Sequence, residues 1–210
     1  MKTYLFDLDG TLTDSGEGII NCTALALEKL GLPVPDREAM RVVVGPPLRD
    51  SFLRFGVKPE DVEEAIAIYR SRYVPIGMFE NTPYPGIKAL LSALKLQGHR
   101  LIVATAKPES MAVPILEKFE LAPYFELICG ATMDDSRDSK DKVIAYVMEK
   151  LGTNENTVMI GDTAHDVKGA AAHGIPTIGV SWGYGTVEEM QEAGAIAIAY
   201  SMSQLLEMLL

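Results

Sequence analysis

Short apolar runs recur along the chain at Tyr4-Leu5-Phe6, Leu101-Ile102-Val103-Ala104, Val158-Met159-Ile160 and Thr177-Ile178-Gly179-Val180. None alternates apolar with polar positions, so each predicts a strand buried on both faces, as in a parallel sheet. Between these runs the apolar positions fall at helical spacing. Helices are predicted over Ile87 to Leu96, Ser110 to Phe119, Val143 to Leu151 and Ala164 to His173, with Gly98, Gly152 and Gly174 stopping three of them. Thr186 with Glu189 and Ser201 with Gln204 read as capping boxes that open the last two short helices around Ala195 to Tyr200. Strands alternating with helices predict an α/β fold built on a doubly wound parallel sheet.

One stretch breaks the alternation. Over 16–80 the only strand-like run is Val42-Val43-Val44, and it is weak. Helices are predicted instead over Ile19 to Leu30, from Asp36 onward, over Pro47 to Phe55 and over Pro59 to Tyr73, with prolines near starts and glycines after ends. The expected organisation is a core of 1–15 and 81–210 carrying an all-helical insert at 16–80. That insert should form a separate lid, hinged near Ser15-Gly16 and near Asn81-Thr82-Pro83.

Composition narrows the classes. The 210 residues are 48% hydrophobic and 23% charged, an ordinary soluble globular balance that excludes disordered, collagenous and disulfide-scaffold chains. No apolar run approaches the ~18 to 20 residues of a membrane span, and the first residues lack a signal-peptide plan, so a cytoplasmic protein with no membrane partner is expected. Cys22 and Cys129 sit in apolar settings and read as buried free thiols. A formal charge of -10 with no basic stripe argues against a nucleic-acid polymer as partner. A small anionic ligand is compatible with that charge if a cation helps to hold it.

The candidate chemistry begins directly after the first strand, in Asp7-Leu8-Asp9-Gly10-Thr11-Leu12-Thr13-Asp14-Ser15. In a doubly wound sheet the carboxyl end of a strand is where ligands bind. Asp7 and Asp9, two apart in an extended segment, project to the same side, and Gly10 lets the backbone turn beside them. One acid could attack while the other moves protons. A second pair follows another buried strand, in Gly161-Asp162-Thr163-Ala164-His165-Asp166, where Asp162 and Asp166 are close enough along a helix start to share a site. With Asp7, Asp162 could supply hard oxygen ligands for Mg²⁺. Thr105, ending the strand before Ala106 and Lys107, could grip a phosphate oxygen together with the following amides. Lys140 and Lys142 both open a helix after the 136–139 loop. If Ser139 is its N-cap, Lys140 shares the stripe of Val143, Ile144, Val147 and Leu151, whereas Lys142 points to solvent, so Lys140 is the better partner for an aspartate or phosphoryl group.

These residues resemble the haloacid dehalogenase-like (HAD) superfamily, and within it the phosphoglycolate phosphatase branch, over nearly the whole chain. The first motif is matched by Asp7, Asp9, Gly10 and Thr11, the second by Thr105, and the fourth by Gly161-Asp162 with Asp166. The third departs from many relatives, which carry lysine followed by proline. The resemblance implies a Rossmann-like core with an inserted helical cap. It makes Asp7 the nucleophile and Asp9 the general acid and base. It places the metal on the side chains of Asp7 and Asp162 and the backbone carbonyl of Asp9, with Asp166 orienting that shell and Thr105 and Lys140 binding phosphate. It also puts Arg49 in a cap loop, where a guanidinium could hold a substrate carboxylate or second phosphate. An aspartate at Asp9 points to phosphate esters rather than to dehalogenation or phosphonate cleavage.

The resulting expectation is a Mg²⁺-dependent phosphatase, monomer or homodimer, acting on a small-molecule phosphate ester, most like phosphoglycolate phosphatase and next a 5'-nucleotidase. A sugar phosphomutase and a non-catalytic sensor of a phosphorylated metabolite stand as alternatives. His165, Trp182 and Tyr184 lie near these motifs; His165 reads as an exposed helix residue, and the two aromatics as a rim or as packing.

Overall fold

β1 (Thr3–Phe6) runs through the middle of a six-stranded sheet, with Tyr4, Leu5 and Phe6 wholly buried. Side chains alternate along a strand. Leu5 joins Ile102, Met159, Val143, Ile144 and Val147 in one cluster, whereas Phe6 meets Phe125 edge-on at 6.2 Å and the Tyr4 hydroxyl donates to the Leu209 carbonyl. Burial on both faces explains why the run shows no polar alternation. The structure is a computed structural model that describes residues 1–134, 136–152 and 155–210. It contains two compact units, Met1–Thr13 with Pro83–Leu210, and Asp14–Thr82.

β2 (Thr13–Asp14) leads into the second unit, which holds α1 (Gly16–Lys29), α2 (Leu48–Arg54) and α3 (Val62–Tyr73). Its connections include 3-10 turns at Ala39–Val43, Pro59–Asp61 and Gly77–Phe79. The run Val42-Val43-Val44 is therefore no strand: Val43 and Val44 are buried from the end of a 3-10 turn, where their apolar side chains serve the unit's core. In that core Phe52 meets Tyr69 edge-on at 6.4 Å, and Tyr69 stacks on Tyr73 at 5.0 Å between centroids. Arg72 grips Glu80 through two 2.7 Å hydrogen bonds and also reaches Cys22, tying α3 to α1 and to the segment that leaves the unit. β3 (Thr82–Pro83) takes the chain out and pairs with β2.

The first unit continues through α4 (Ile87–Leu96), β4 (Arg100–Pro108), α5 (Glu109–Lys118), β5 (Leu127–Ala131) and α6 (Lys140–Leu151). It ends with β6 (Thr157–Gly161), α7 (Ala164–Ala171), β7 (Thr177–Val180), α8 (Val187–Glu192), β8 (Ala197–Ala199) and α9 (Met202–Leu209). The sheet is parallel in the order β5-β4-β1-β6-β7-β8. From β1 the chain builds outward through β4 and β5, then crosses back to build through β6, β7 and β8. The order reverses at β1, and the crevice beyond the carboxyl ends of β4, β1 and β6 is the expected ligand position of such a sheet. Both cysteines are buried and free.

Candidate active site

The strands that meet at the switch point bring their carboxyl-terminal residues to one place. Asp7 follows β1, Asp162 follows β6, and Thr105 and Lys107 lie near the end of β4. Asp7, Asp162 and Asp166 are 8%, 0% and 0% exposed, and each offers a carboxylate oxygen within 4.8 Å of the others. Three acids so placed repel one another and lose hydration. Burial pushes the Asp7 carboxyl up to about 6, opposed by Lys140 and reinforced by Asp166 and Asp9. Burial, then the charges of Asp166 and Asp7, hold Asp162 well above the usual carboxylate range.

Lys140 supplies the nearest compensating charge. It is the first residue of α6, follows the N-cap Ser139, and is 6% exposed. Its Nζ lies 2.8 Å from Asp7 Oδ1 and 2.7 Å from Asp166 Oδ1, and donates to the Ala104 carbonyl at 3.0 Å. Burial alone would lower its pKa, but the charges of Asp166 and Asp7 outweigh burial and raise it. Lys142 is exposed and pairs with Asp138 at 2.8 Å. The other oxygen of Asp166 accepts from the Thr163 N–H at 3.0 Å and its hydroxyl at 2.8 Å. Asp166 is thus ion-paired through one oxygen and hydrogen-bonded through the other, and it orients Lys140 while closing the first turn of α7.

Asp162 sits in a glycine cradle. Its Oδ1 accepts from the Thr11 hydroxyl at 3.1 Å and its Oδ2 from the Tyr184 N–H at 2.8 Å. A Cβ on Gly10, whose φ is +83°, would lie 2.1 Å from Asp162 Oδ2, and one on Gly183 would lie 2.2 Å from it, so neither position has room for a side chain. The indole of Trp182 donates to the Thr11 carbonyl at 3.2 Å, linking the loop after β7 to the turn after β1. Tyr184 therefore meets the acidic site through its backbone N–H, and the Trp182 indole ties the loop that carries it to the turn after β1. The Gly183-Tyr184-Gly185 spacing just past a buried strand was the available sequence signal for that.

Asp9 is partly buried. Its Oδ2 lies 2.7 Å from Lys107 Nζ, and its Oδ1 is buried without a hydrogen-bond partner. The Thr105 hydroxyl, 1% exposed, accepts from the Lys107 N–H at 3.2 Å, which leaves its own hydrogen to donate. Nothing in the local sequence pattern marks Lys107 as a partner of Asp9. Arg49 belongs to the helical unit, where its exposed guanidinium pairs with Glu63. His165 is exposed on the first turn of α7.

The donor set fits a divalent cation. Asp7 and Asp162 present hard carboxylate oxygens from two strand ends, and the three buried acids face one buried ammonium, which leaves negative charge for a cation to balance.

The family model described as haloacid dehalogenase-like hydrolase matches residues 4–180. A solved structure of a predicted phosphatase from Clostridium acetobutylicum superposes with a TM-score of 0.94 at 44% identity, covering 99% of this chain and 97% of that one. Over 201 residues the chain is 42% identical to the tyrosine-protein kinase PtkA of Mycobacterium tuberculosis, spanning 95% of this chain and 69% of that protein. It is 39% identical over 189 residues to a 5'-nucleotidase of Pseudomonas aeruginosa, with 89% and 86% covered. With a phosphoglycolate phosphatase of Caulobacter vibrioides it shares 31% over 208 residues, with 95% and 86% covered. An α/β core of this topology, these strand-end acids and these likenesses agree: the chain belongs to the haloacid dehalogenase-like hydrolases, in their phosphoglycolate phosphatase-like branch, and is a phosphatase acting on phosphate esters.

Proposed function

We propose that this phosphatase hydrolyses a small soluble phosphate monoester in the cytoplasm through a phosphorylated Asp7, with Mg²⁺ as its metal. The observation that carries the reading is the 2.8 Å pairing of Asp7 with Lys140 inside a buried group of acids. It leaves a carboxylate that is oriented and largely stripped of water, as a nucleophile aimed at phosphorus must be. In the first step Asp7 attacks phosphorus, the bond to the leaving oxygen breaks, and Asp9 donates its proton to that oxygen. In the second, Asp9 takes a proton from water, the water oxygen attacks phosphorus, and Asp7 is released with inorganic phosphate. Thr105, Lys140 and the amides after Asp7 offset charge on the phosphoryl oxygens. The side chains of Asp7 and Asp162 and the backbone carbonyl of Asp9 would hold the cation, with Asp166 orienting the shell, and the bound ion supplies charge neutralisation at the phosphoryl group.

The helical unit is read as the lid that selects substrate, with Arg49 recognising a carboxylate or second phosphate. Phosphoglycolate is the first substrate of this reading and a 5'-nucleotide the second, as the names of the Caulobacter and Pseudomonas relatives support. A second reading, phosphoryl transfer to protein tyrosine, is favoured by the 42% identity with PtkA. A panel of phosphoglycolate, 5'-nucleotides, sugar phosphates and p-nitrophenyl phosphate, assayed with Mg²⁺, tests these readings. Preferred hydrolysis of phosphoglycolate is expected, and Arg49→Ala should raise KM for it while sparing p-nitrophenyl phosphate. Label moving from ATP to a tyrosine peptide would favour the second reading. Turnover only in the presence of a sugar bisphosphate would indicate a mutase, and no turnover of any ester a sensor.

A further inference from the structure

Lys107 is 9% exposed, and its Nζ lies 2.7 Å from Asp9 Oδ2. A lysine is seldom buried unless it is paired, and the partner here is the carboxylate assigned the proton-transfer role. The two oxygens of Asp9 differ. Oδ2 is held by Lys107, whereas Oδ1 is buried and has no hydrogen-bond partner. Oδ1 is therefore the oxygen of Asp9 left available to exchange a proton.

The backbone that carries Lys107 is fixed from several sides. The β4–β5 register shifts between Thr105 and Pro108, a bulge of the kind that re-aims a side chain beside an active site. Within the bulge the Lys107 N–H donates to the Thr105 hydroxyl at 3.2 Å. On the neighbouring strand only glycine fits at Gly130, where a Cβ would lie 2.5 Å from the Lys107 carbonyl oxygen and 2.7 Å from the Glu109 nitrogen. The side chain therefore leaves a rigid base, and its reach ends on Asp9.

We propose that Lys107 is a positioning residue for the proton-transfer carboxylate. It holds Asp9 by Oδ2, so that Oδ1 is the oxygen that gives a proton to the leaving group and later takes one from water. Lys107 keeps its own protons throughout. The inference rests on the phosphatase reading with Asp9 as proton carrier. General acid–base transfer contributes ~10² to 10⁴-fold and requires a heavy-atom approach of about 2.6 to 3.2 Å, so loss of orientation at Asp9 should cost a large part of that factor.

The test compares kcat/KM for p-nitrophenyl phosphate, whose leaving group needs little protonation, with that for an alkyl phosphate, whose leaving group needs it most. kcat/KM reports the step in which the leaving group departs. Lys107→Met should lower it ~10²-fold for the alkyl ester and less than ~10-fold for p-nitrophenyl phosphate. Lys107→Gln, which keeps a donor, should fall between Met and wild type, and it serves if the Met variant does not fold. In an Asp9→Asn background, Lys107→Met should cost less than about 3-fold further on either ester, because its effect runs through Asp9. Equal losses on both esters, or losses that add to those of Asp9→Asn, would show that Lys107 acts on the phosphoryl group or on the fold, and would overturn the proposal. Asp9→Asn alone separates the two levels. If it fails to distinguish the esters, the proton role of Asp9 is wrong and the inference falls with it; if it distinguishes them and Lys107→Met does not, only the inference falls.

Discussion

Lys140 and Asp7, from a helix start and a strand end far apart in sequence, meet at 2.8 Å in the interior of the core unit. The same ammonium touches Asp166 at 2.7 Å, so one cation serves two buried acids. Removing one partner of a buried ion pair leaves an uncompensated charge and typically costs about 3 to 5 kcal/mol.

Lys140→Ala should therefore lower stability by roughly that amount as well as abolish turnover. Lys142→Ala removes only the exposed pair with Asp138 and should change stability by less than about 1 kcal/mol, with kcat unaltered. Thermal denaturation and steady-state kinetics on the two variants check this. Comparable losses from both would mean that neither lysine is specific to the site.

The raised pKa of Asp7 makes a prediction about pH. Its carboxyl moves from 3.8 to about 6 in the fold, first because of burial. Between those values the folded protein keeps a proton that the unfolded chain has released, so this group's contribution to stability is present at low pH and is lost as pH rises through that window. Asp7→Asn carries no such proton, and its carbonyl can still accept from the Leu8 N–H and from Lys140. With metal chelated, the Tm of Asp7→Asn relative to wild type should rise between pH 4 and pH 7 by several degrees, at about 2 to 4 °C per kcal/mol. A difference independent of pH would contradict the assignment of that shift.

The glycine cradle predicts a catalytic defect from a single methyl. Gly183→Ala puts a carbon 2.2 Å from Asp162 Oδ2, which must move either the carboxylate or its loop. Disturbing a metal shell in this way typically costs ~10 to 100-fold in metal affinity or activity. Gly98→Ala is the control. A Cβ there meets nothing within 4 Å, and φ is +76°, so it should cost about 1 kcal/mol of stability with kcat intact. Equal kcat in the two variants would remove the cradle from the site.

Much of this arrangement was legible in the sequence because it is local. Asp7, Asp162 and Thr105 stand at the ends of apolar runs too short for helices, and Lys140 shares a helical phase with Val143, Ile144 and Val147. What was hidden depends on pairing across the chain. β5 and β8 are short, include small residues such as Gly130 and Ala197, and gain their strand conformation from β4 and β7. The Val42–Val44 run has strand-like composition, yet it lies at the end of a 3-10 turn that buries Val43 and Val44 in the helical unit and leaves Val42 exposed. The contacts of Lys107 with Asp9 and of Tyr184 with Asp162 join residues 98 and 22 positions apart, and no periodicity encodes such distances.

The excess of buried carboxylates over ammonium groups predicts that the enzyme needs a divalent cation. Treatment with EDTA should silence the enzyme, and Mg²⁺ should restore it, since Asp7 and Asp162 otherwise repel a phosphate dianion. Activity should saturate with Mg²⁺, whereas Tm should begin to rise over the same concentration range and then climb with the logarithm of the ion concentration. Full activity of a metal-free preparation would rule the acidic group out as a cation site.

If Asp7 becomes phosphorylated during turnover, that species can be trapped. Enzyme quenched in acid during turnover and reduced with borohydride should carry homoserine in place of Asp7, detected by peptide mass spectrometry, because an acyl phosphate is reduced where a free carboxylate is not. Homoserine is expected at Asp7, and neither homoserine nor turnover in Asp7→Asn. Homoserine at another carboxylate, or turnover of Asp7→Asn within tenfold of wild type, would contradict phosphorylation of Asp7.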